Sequence, residues 1–243
     1  LVGDPITKKY PKTAKIINEV GVKKVVNACL KMGVKRLISI STCSNYGLIK
    51  TNELASENHE LNPLSLYAKS KVEIENYILS LRDKADFHPT ILRFATAFGL
   101  SPRMRYDLTV NEFTKELFFQ KPLVVYDSET WRPYCHVEDF ARLISITLGA
   151  PTKKVSYEIF NAGSSENNYT KRMIVDEILK LLPNGKINYE KYKHGLDARN
   201  YRVDFSKVNS VLNFKPNKTI SDGINELLKD LDKKTFDIIE KNK

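Results

Sequence analysis

The sequence predicts an α/β protein built on a doubly wound parallel sheet, and two observations carry that expectation. Short apolar runs of buried-strand character, at residues 37–41 and 89–94, alternate with longer segments whose apolar residues recur at helical spacing. Each run ends in a segment of small and hydroxyl residues, 41–47 and 95–99, and a sheet of this kind places its ligands beyond the carboxyl ends of its strands.

From residue 12 to 32, Ala14, Ile17, Val20, Val25, Ala28 and Cys29 form a helical stripe, and Gly33 stands where the helix should stop. Lys35-Arg36 then lead into the strand at 37–41, so helix, glycine, basic pair and strand make half of a βαβ unit. A polar loop covers 50–63. A helix follows at 65–82, with Ile74, Ile78 and Leu81 on its buried side. The next strand, 89–94, ends at 95–99.

Beyond residue 100 the character changes. A basic loop at 101–105 carries Arg103 and Arg105; a helix is expected at 108–120, a strand at 123–126 and an acid-capped helix at 137–148. A strand at 157–161 and helices at 171–182, 205–212 and 221–241 complete the pattern. The change places a boundary between 1–100 and 101–243, the second part interleaved with elements returning to the sheet.

Composition narrows the function classes. A hydrophobic content of 42% with twelve tyrosines and eleven phenylalanines describes a globular chain. No apolar run reaches membrane-spanning length, and no leader pattern opens the sequence. Cys29, Cys43 and Cys135 are too scattered for metal spacing, which fits a reducing cytoplasm. His59, His88, His136 and His194 are equally dispersed, so no metal is expected. The net charge of +10 comes mostly from lysines spread over helices. It is assigned to solvated faces and, in part, to an anionic substrate such as a nucleotide diphosphate; a nucleic-acid partner is not expected.

The stretch that carries chemistry is Ser41-Thr42-Cys43-Ser44-Asn45-Tyr46-Gly47 followed by Tyr67-Ala68-Lys69-Ser70-Lys71. Tyr67 and Lys71, four apart on a helix, share one face. An ammonium beside the phenol is expected to pull the Tyr67 pKa down from about 10. With a hydroxyl to hold a substrate oxygen, the pair would make a proton-transfer device.

These motifs resemble the extended short-chain dehydrogenase/reductases, the NAD-dependent nucleotide-sugar epimerase/dehydratase family. Arg132-Pro133-Tyr134-Cys135-His136-Val137-Glu138-Asp139, Asn161-Ala162-Gly163-Ser164 and Tyr201-Arg202-Val203-Asp204 resemble further landmarks of that family. The resemblance implies a Rossmann-like sheet in 1–100 and a smaller, mainly substrate-binding α/β lobe in 101–243. It implies that Thr42 bonds the sugar oxygen, that Tyr67 is the acid/base, and that Lys71 holds the nicotinamide ribose. All three would touch the cofactor, NAD, with NADP left open. Thr96, Arg132 and Arg199 fall at substrate-binding positions, the arginines suited to a diphosphate. Asn18 falls where members carry an asparagine supporting the active-site water network; local satisfaction is the alternative. A homodimer through the helices at 12–32 and 65–82 is the family's habit.

Two departures qualify the resemblance. Dehydratases of the family carry Asp-Glu after the threonine, whereas Cys43-Ser44 stand here. That points to an epimerase, with a reductase, a dehydratase or a non-catalytic RNA- or protein-binding relative as alternatives. Cys43 or Ser44 is a candidate second acid/base, with inert packing the alternative for the cysteine. The ten glycines also include no Gly-x-x-Gly-x-x-Gly, so the pyrophosphate loop and the first strands are expected to lie upstream of a fragment.

Overall fold

The computed structural model describes residues 1–50, 52–82, 86–191 and 199–233. His194 and the far end of the helix expected at 221–241 lie outside them.

The chain begins with helices α1 (Asp4–Lys9), α2 (Pro11–Lys15) and α3 (Val22–Lys31), the last two joined by a π-helical turn, Ile16–Gly21. Strand β1 (Arg36–Thr42) leads through a 3-10 turn, Cys43–Tyr46, and a loop to α4 (Leu66–Leu79). Next come β2 (His88–Phe94), β3 (Thr96–Phe98), α5 (Thr109–Phe118), β4 (Leu123–Tyr126) and β5 (Trp131–His136). The rest comprises α6 (Val137–Gly149), α7 (Thr152–Val155), β6 (Ile159–Ala162), β7 (Asn168–Thr170), α8 (Lys171–Leu179), β8 (Ile187–Glu190), α9 (Ser206–Leu212) and α10 (Ile220–Asp232).

Strands β1, β2 and β6 form a parallel sheet in that order, registered from Arg36 opposite His88 to Thr42 opposite Phe94. Successive residues of β2 point to opposite faces, as the pleat requires. Ile91 packs with Val26, Ile74 and Ile78 from α3 and α4. Leu92 packs with Phe140 and Leu143 of α6 and with Phe160. Both are fully buried, each contributing about 1.5–3 kcal/mol of burial. Covered on two faces, this is the doubly wound parallel arrangement the sequence predicts. A separate apolar cluster joins Phe98, Val110, Ile174, Ile178 and Ile224.

One local expectation is corrected, and two strands are added. The segment 12–32 is not one helix, because the π-helical turn interrupts it. The strand at 89–94 ends where expected, β2 closing at Phe94, but Thr96–Phe98 forms a further short strand that pairs with Tyr134–His136 of β5. Residues 131–136 form a further strand, β5, pairing β3 on one side and β7 on the other.

Candidate active site

Thr42 closes β1 and Phe94 closes β2, side by side in register, and a cleft of about 980 Å³ opens beyond them. Thr42, Tyr67, Thr96, Arg132 and Arg199 all line it. Five of the six residues singled out from the sequence therefore share one cavity, although they come from β1, α4, β3, β5 and the segment before α9.

Local capping sets the first two. The Thr42 side chain accepts a hydrogen bond from the Ser44 amide at 3.1 Å and so starts the 3-10 turn. Ser65 caps α4 by accepting from the Ala68 amide at 3.1 Å, which fixes Tyr67 in the first turn of the helix. One turn on, the Lys71 ammonium donates to the Ile40 carbonyl at 2.7 Å and lies 5.6 Å from the centre of the Tyr67 ring.

That placement overturns the expected effect of Lys71 on Tyr67. The Tyr67 phenol is pushed up to about 12, first by burial and then by the negative charge of Asp4, with Arg105 acting in the opposite sense. Lys71 is pulled down from the usual lysine range by burial, and the Glu75 carboxylate offsets part of that. The four-residue spacing does bring the two side chains together. It does not bring the ammonium to bear on the phenol, because the charge is committed to the strand carbonyl.

The arginines are fixed by contacts within the chain. Arg132, only 7% exposed, lies over the Tyr201 ring at 5.0 Å. Its Nη1 donates to the Trp131 carbonyl at 2.7 Å and to the Arg199 carbonyl. Arg199 Nη1 lies 2.6 Å from Asp4 Oδ2 and donates to Ser44 Oγ at 3.3 Å. Arg105 also lines the cleft, paired through Nε and Nη2 with the two carboxylate oxygens of Asp107 at 2.6 Å each.

Asn18 sits in the π-helical turn, and its side-chain amide donates to the Leu1 carbonyl at 2.8 Å, a contact to a segment remote in sequence. Cys43 is buried, donates to the Arg93 carbonyl at 3.1 Å, and has its thiol pushed well up by burial. It is a packing residue, whereas Ser44 lines the cleft. Among the described residues no cluster of histidine, cysteine and carboxylate side chains is placed to hold a metal ion. None of the described helices is long and apolar enough to cross a membrane.

Two features escape the sequence reading. Asp4 enters the cleft from α1, and no motif marks it. Beneath the cleft, Glu75 and Arg93 form a buried pair with Nη2 and Oε2 2.6 Å apart. Arg93 reaches on to the Tyr46 hydroxyl at 3.0 Å, and that hydroxyl donates to Asn161 at 2.6 Å. The one signal for Glu75 is its position on α4, one turn beyond Lys71.

A family model described as the NAD dependent epimerase/dehydratase family matches residues 3–163. Among curated proteins, a dTDP-glucose 4,6-dehydratase of an Actinoplanes species is 28% identical over 210 residues, covering 86% of this chain and 64% of its own length. A UDP-glucuronate 4-epimerase of Thermodesulfobacterium geofontis is 27% identical over 212 residues, covering 85% of this chain and 62% of the relative. The chain thus spans a little over three-fifths of the curated relatives it matches. Among solved structures, a dTDP-glucose 4,6-dehydratase of Streptomyces venezuelae with NAD bound superimposes with a TM-score of 0.85 at 21% identity, covering 100% of this chain and 74% of that one. A UDP-glucuronic acid 4-epimerase of Bacillus cereus in complex with UDP-glucuronic acid and NAD gives 0.78 at 24% identity, covering 90% and 68%. These structures share the fold.

Proposed function

Because the chain belongs to the NAD dependent epimerase/dehydratase family, we propose that it carries the proton-transfer and substrate side of an NAD-dependent nucleotide-sugar epimerase. The observation that supports this is the convergence of Thr42, Tyr67, Arg132 and Arg199 on one cleft at the strand ends. Thr42 holds the reacting sugar hydroxyl, Tyr67 exchanges its proton, and Thr96 contacts the sugar. Arg132 and Arg199 face the diphosphate.

The residues present fit the nicotinamide end of the cofactor: a phenol, a threonine hydroxyl and a neighbouring ammonium offer polar partners for ribose and carboxamide. Bound there, NAD would supply reversible hydride acceptance. The remaining steps fall to the chain. Tyr67, held neutral by burial, is ready to protonate a sugar oxygen when hydride returns. Taking a proton in the forward direction requires phenolate, which nearby positive charge such as that of Arg105 favours.

Epimerisation is preferred to dehydration because the two positions after Thr42 supply no carboxylate and Cys43 is sealed from the cleft. The exposed apolar residues Ile16, Ile17 and Val20 of the π-helical turn and Val25 of α3 belong to the first of the two helical segments, the other being α4, proposed for a homodimer.

The test uses the complete enzyme chain with NAD and a panel of UDP- and dTDP-sugars, products being read by NMR. Inversion at a ring carbon supports the epimerase, and loss of water would replace it with a dehydratase. Tyr67→Phe should abolish turnover with the melting temperature unchanged; substantial residual turnover would remove Tyr67 from the mechanism.

A further inference from the structure

The Tyr67–Lys71 helix is tied to the strand ends by the Lys71–Ile40 hydrogen bond and, one turn on, by the buried carboxylate of Glu75. Glu75 is 2% exposed and Arg93 3% exposed. The Glu75 carboxylate accepts from Arg93 Nη2 at 2.6 Å and from Arg93 Nε at 3.1 Å to both oxygens. It also accepts from Asn45 Nδ2 at 2.8 Å and from the Ser41 hydroxyl. One side chain on α4 therefore engages the residue before Thr42 on β1, the 3-10 turn after Thr42, and the penultimate residue of β2.

We propose that Glu75 is a positioning residue for the reaction, locking the helix that carries Tyr67 and Lys71 in register with Thr42. The proposal rests on the assignment of Tyr67 and Thr42 given above. Its physical basis is the number of donors that meet at one carboxylate. Arg93 fixes the tilt of α4 against β2 through a fork, which a monodentate contact would not do. Ser41 and Asn45 fix the same carboxylate against both flanks of Thr42. Thr42 comes from a strand and Tyr67 from a helix, so without a tie their separation would follow every small shift of α4. A proton transfer tolerates little such drift: misplacement on the order of 1 Å costs about a hundredfold in rate.

A second role follows from charge. Glu75 sits one helical turn from Lys71 and holds its ammonium against the burial that would neutralise it. The other charged or titratable groups facing this pair are Arg93 from β2, Tyr46 from the 3-10 turn and Tyr67 from α4 itself.

Two variants of the complete enzyme separate positioning from folding. Ser41→Ala removes one donor from Glu75 and leaves the Arg93 pair intact. Glu75→Met with Arg93→Met replaces the buried pair by apolar side chains of similar length, a change that buried ion pairs commonly tolerate. In Ser41→Ala, kcat should fall several-fold and KM for the nucleotide sugar should hold. In the double variant kcat should fall by about a hundredfold. The Lys71 ammonium, followed by NMR of labelled lysine and assigned with Lys71→Met, should also titrate at lower pH in the double variant. A role in stability alone would lower the melting temperature and leave both the kcat/KM split and the Lys71 titration in place. Turnover within twofold of the parent in folded variants overturns the proposal, provided Tyr67→Phe is inactive. An active Tyr67→Phe overturns the underlying assignment instead. If the double variant does not fold, Ser41→Ala decides.

Discussion

Asp4 Oδ2 and Arg199 Nη1 lie 2.6 Å apart, joining α1 to the segment before α9 within the lining of the cleft. The other carboxylate oxygen, Asp4 Oδ1, is buried and accepts no hydrogen bond. A half-satisfied carboxylate is an expensive partner, so the pair is poised to give way to a better anion. The same carboxylate acts on Tyr67, whose phenol it helps to raise. Asp4→Asn should therefore move two observables together. The Tyr67 phenol should ionise below its present value of about 12, since removing a nearby negative charge favours phenolate. Inorganic pyrophosphate should bind more tightly, since the Asp4 charge no longer competes for the Arg199 guanidinium. Absorbance titration against Tyr67→Phe and calorimetry read the two; an unchanged phenol midpoint would place Asp4 outside the electrostatics of the site.

Stability in alkali should report the buried phenols. Tyr46, Tyr67 and Tyr201 are all raised above the usual tyrosine value of 10.0, with burial the leading cause in each. A folded-state pKa above the unfolded one gives stability that is complete below the unfolded value and is lost as pH rises through the folded value. Unfolding free energy should consequently fall from about pH 10 upward. Lys71, lowered in the folded state, works in the opposite sense and adds stability as pH rises towards its unfolded value. Urea midpoints measured on either side of about pH 10 should drop for the parent and drop less for Tyr67→Phe. Equal slopes would mean that Tyr67 titrates normally.

What the sequence revealed and what it hid divide along the range of the interactions. Residues 37–41 and 89–94 were legible as strands because a sheet covered on both faces needs apolar side chains at successive positions, as Ile91 and Leu92 show. Strand β5 was not legible: Pro133 lacks a ladder donor, which argues against a strand, yet Pro133 faces Asn168 of β7 in an antiparallel pair. The π-helical turn was hidden because its apolar stripe continues through it. The proximity of Tyr67 and Lys71 was legible because a four-residue spacing on a helix places them side by side. Their electrostatics were not, because the groups that decide the Tyr67 phenol include Asp4 and Arg105, remote in sequence. The Glu75–Arg93 pair was hidden for the same reason, as neither residue carries a local signal for the other.

The turn after Thr42 gives a sharp structural prediction. Gly47 has φ of 67°, a left-handed value, and a Cβ added there would lie 1.9 Å from the Asn62 carbonyl oxygen. The neighbour cannot step aside cheaply, because the Asn62 amide donates to the Asn45 carbonyl at 2.9 Å. Gly33 has φ of 68° but nothing within 4 Å of an added Cβ, so it serves as the control for a positive φ without a clash, while Gly47 adds a ψ of −98°, outside the left-handed helical well. Gly33→Ala should cost about 1–2 kcal/mol, the penalty of a left-handed alanine. Gly47→Ala should cost more than that by a further ~1–3 kcal/mol, the range typical of overpacking. The added strain falls on residues 62–64, which lead directly to Ser65, the cap that fixes Tyr67 in the first turn of α4. Turnover should therefore fall in Gly47→Ala beyond what the loss of folded protein explains, and should hold in Gly33→Ala. Equal denaturation midpoints for the two variants would show that the loop at Asn62 yields freely and does not transmit the turn to the site.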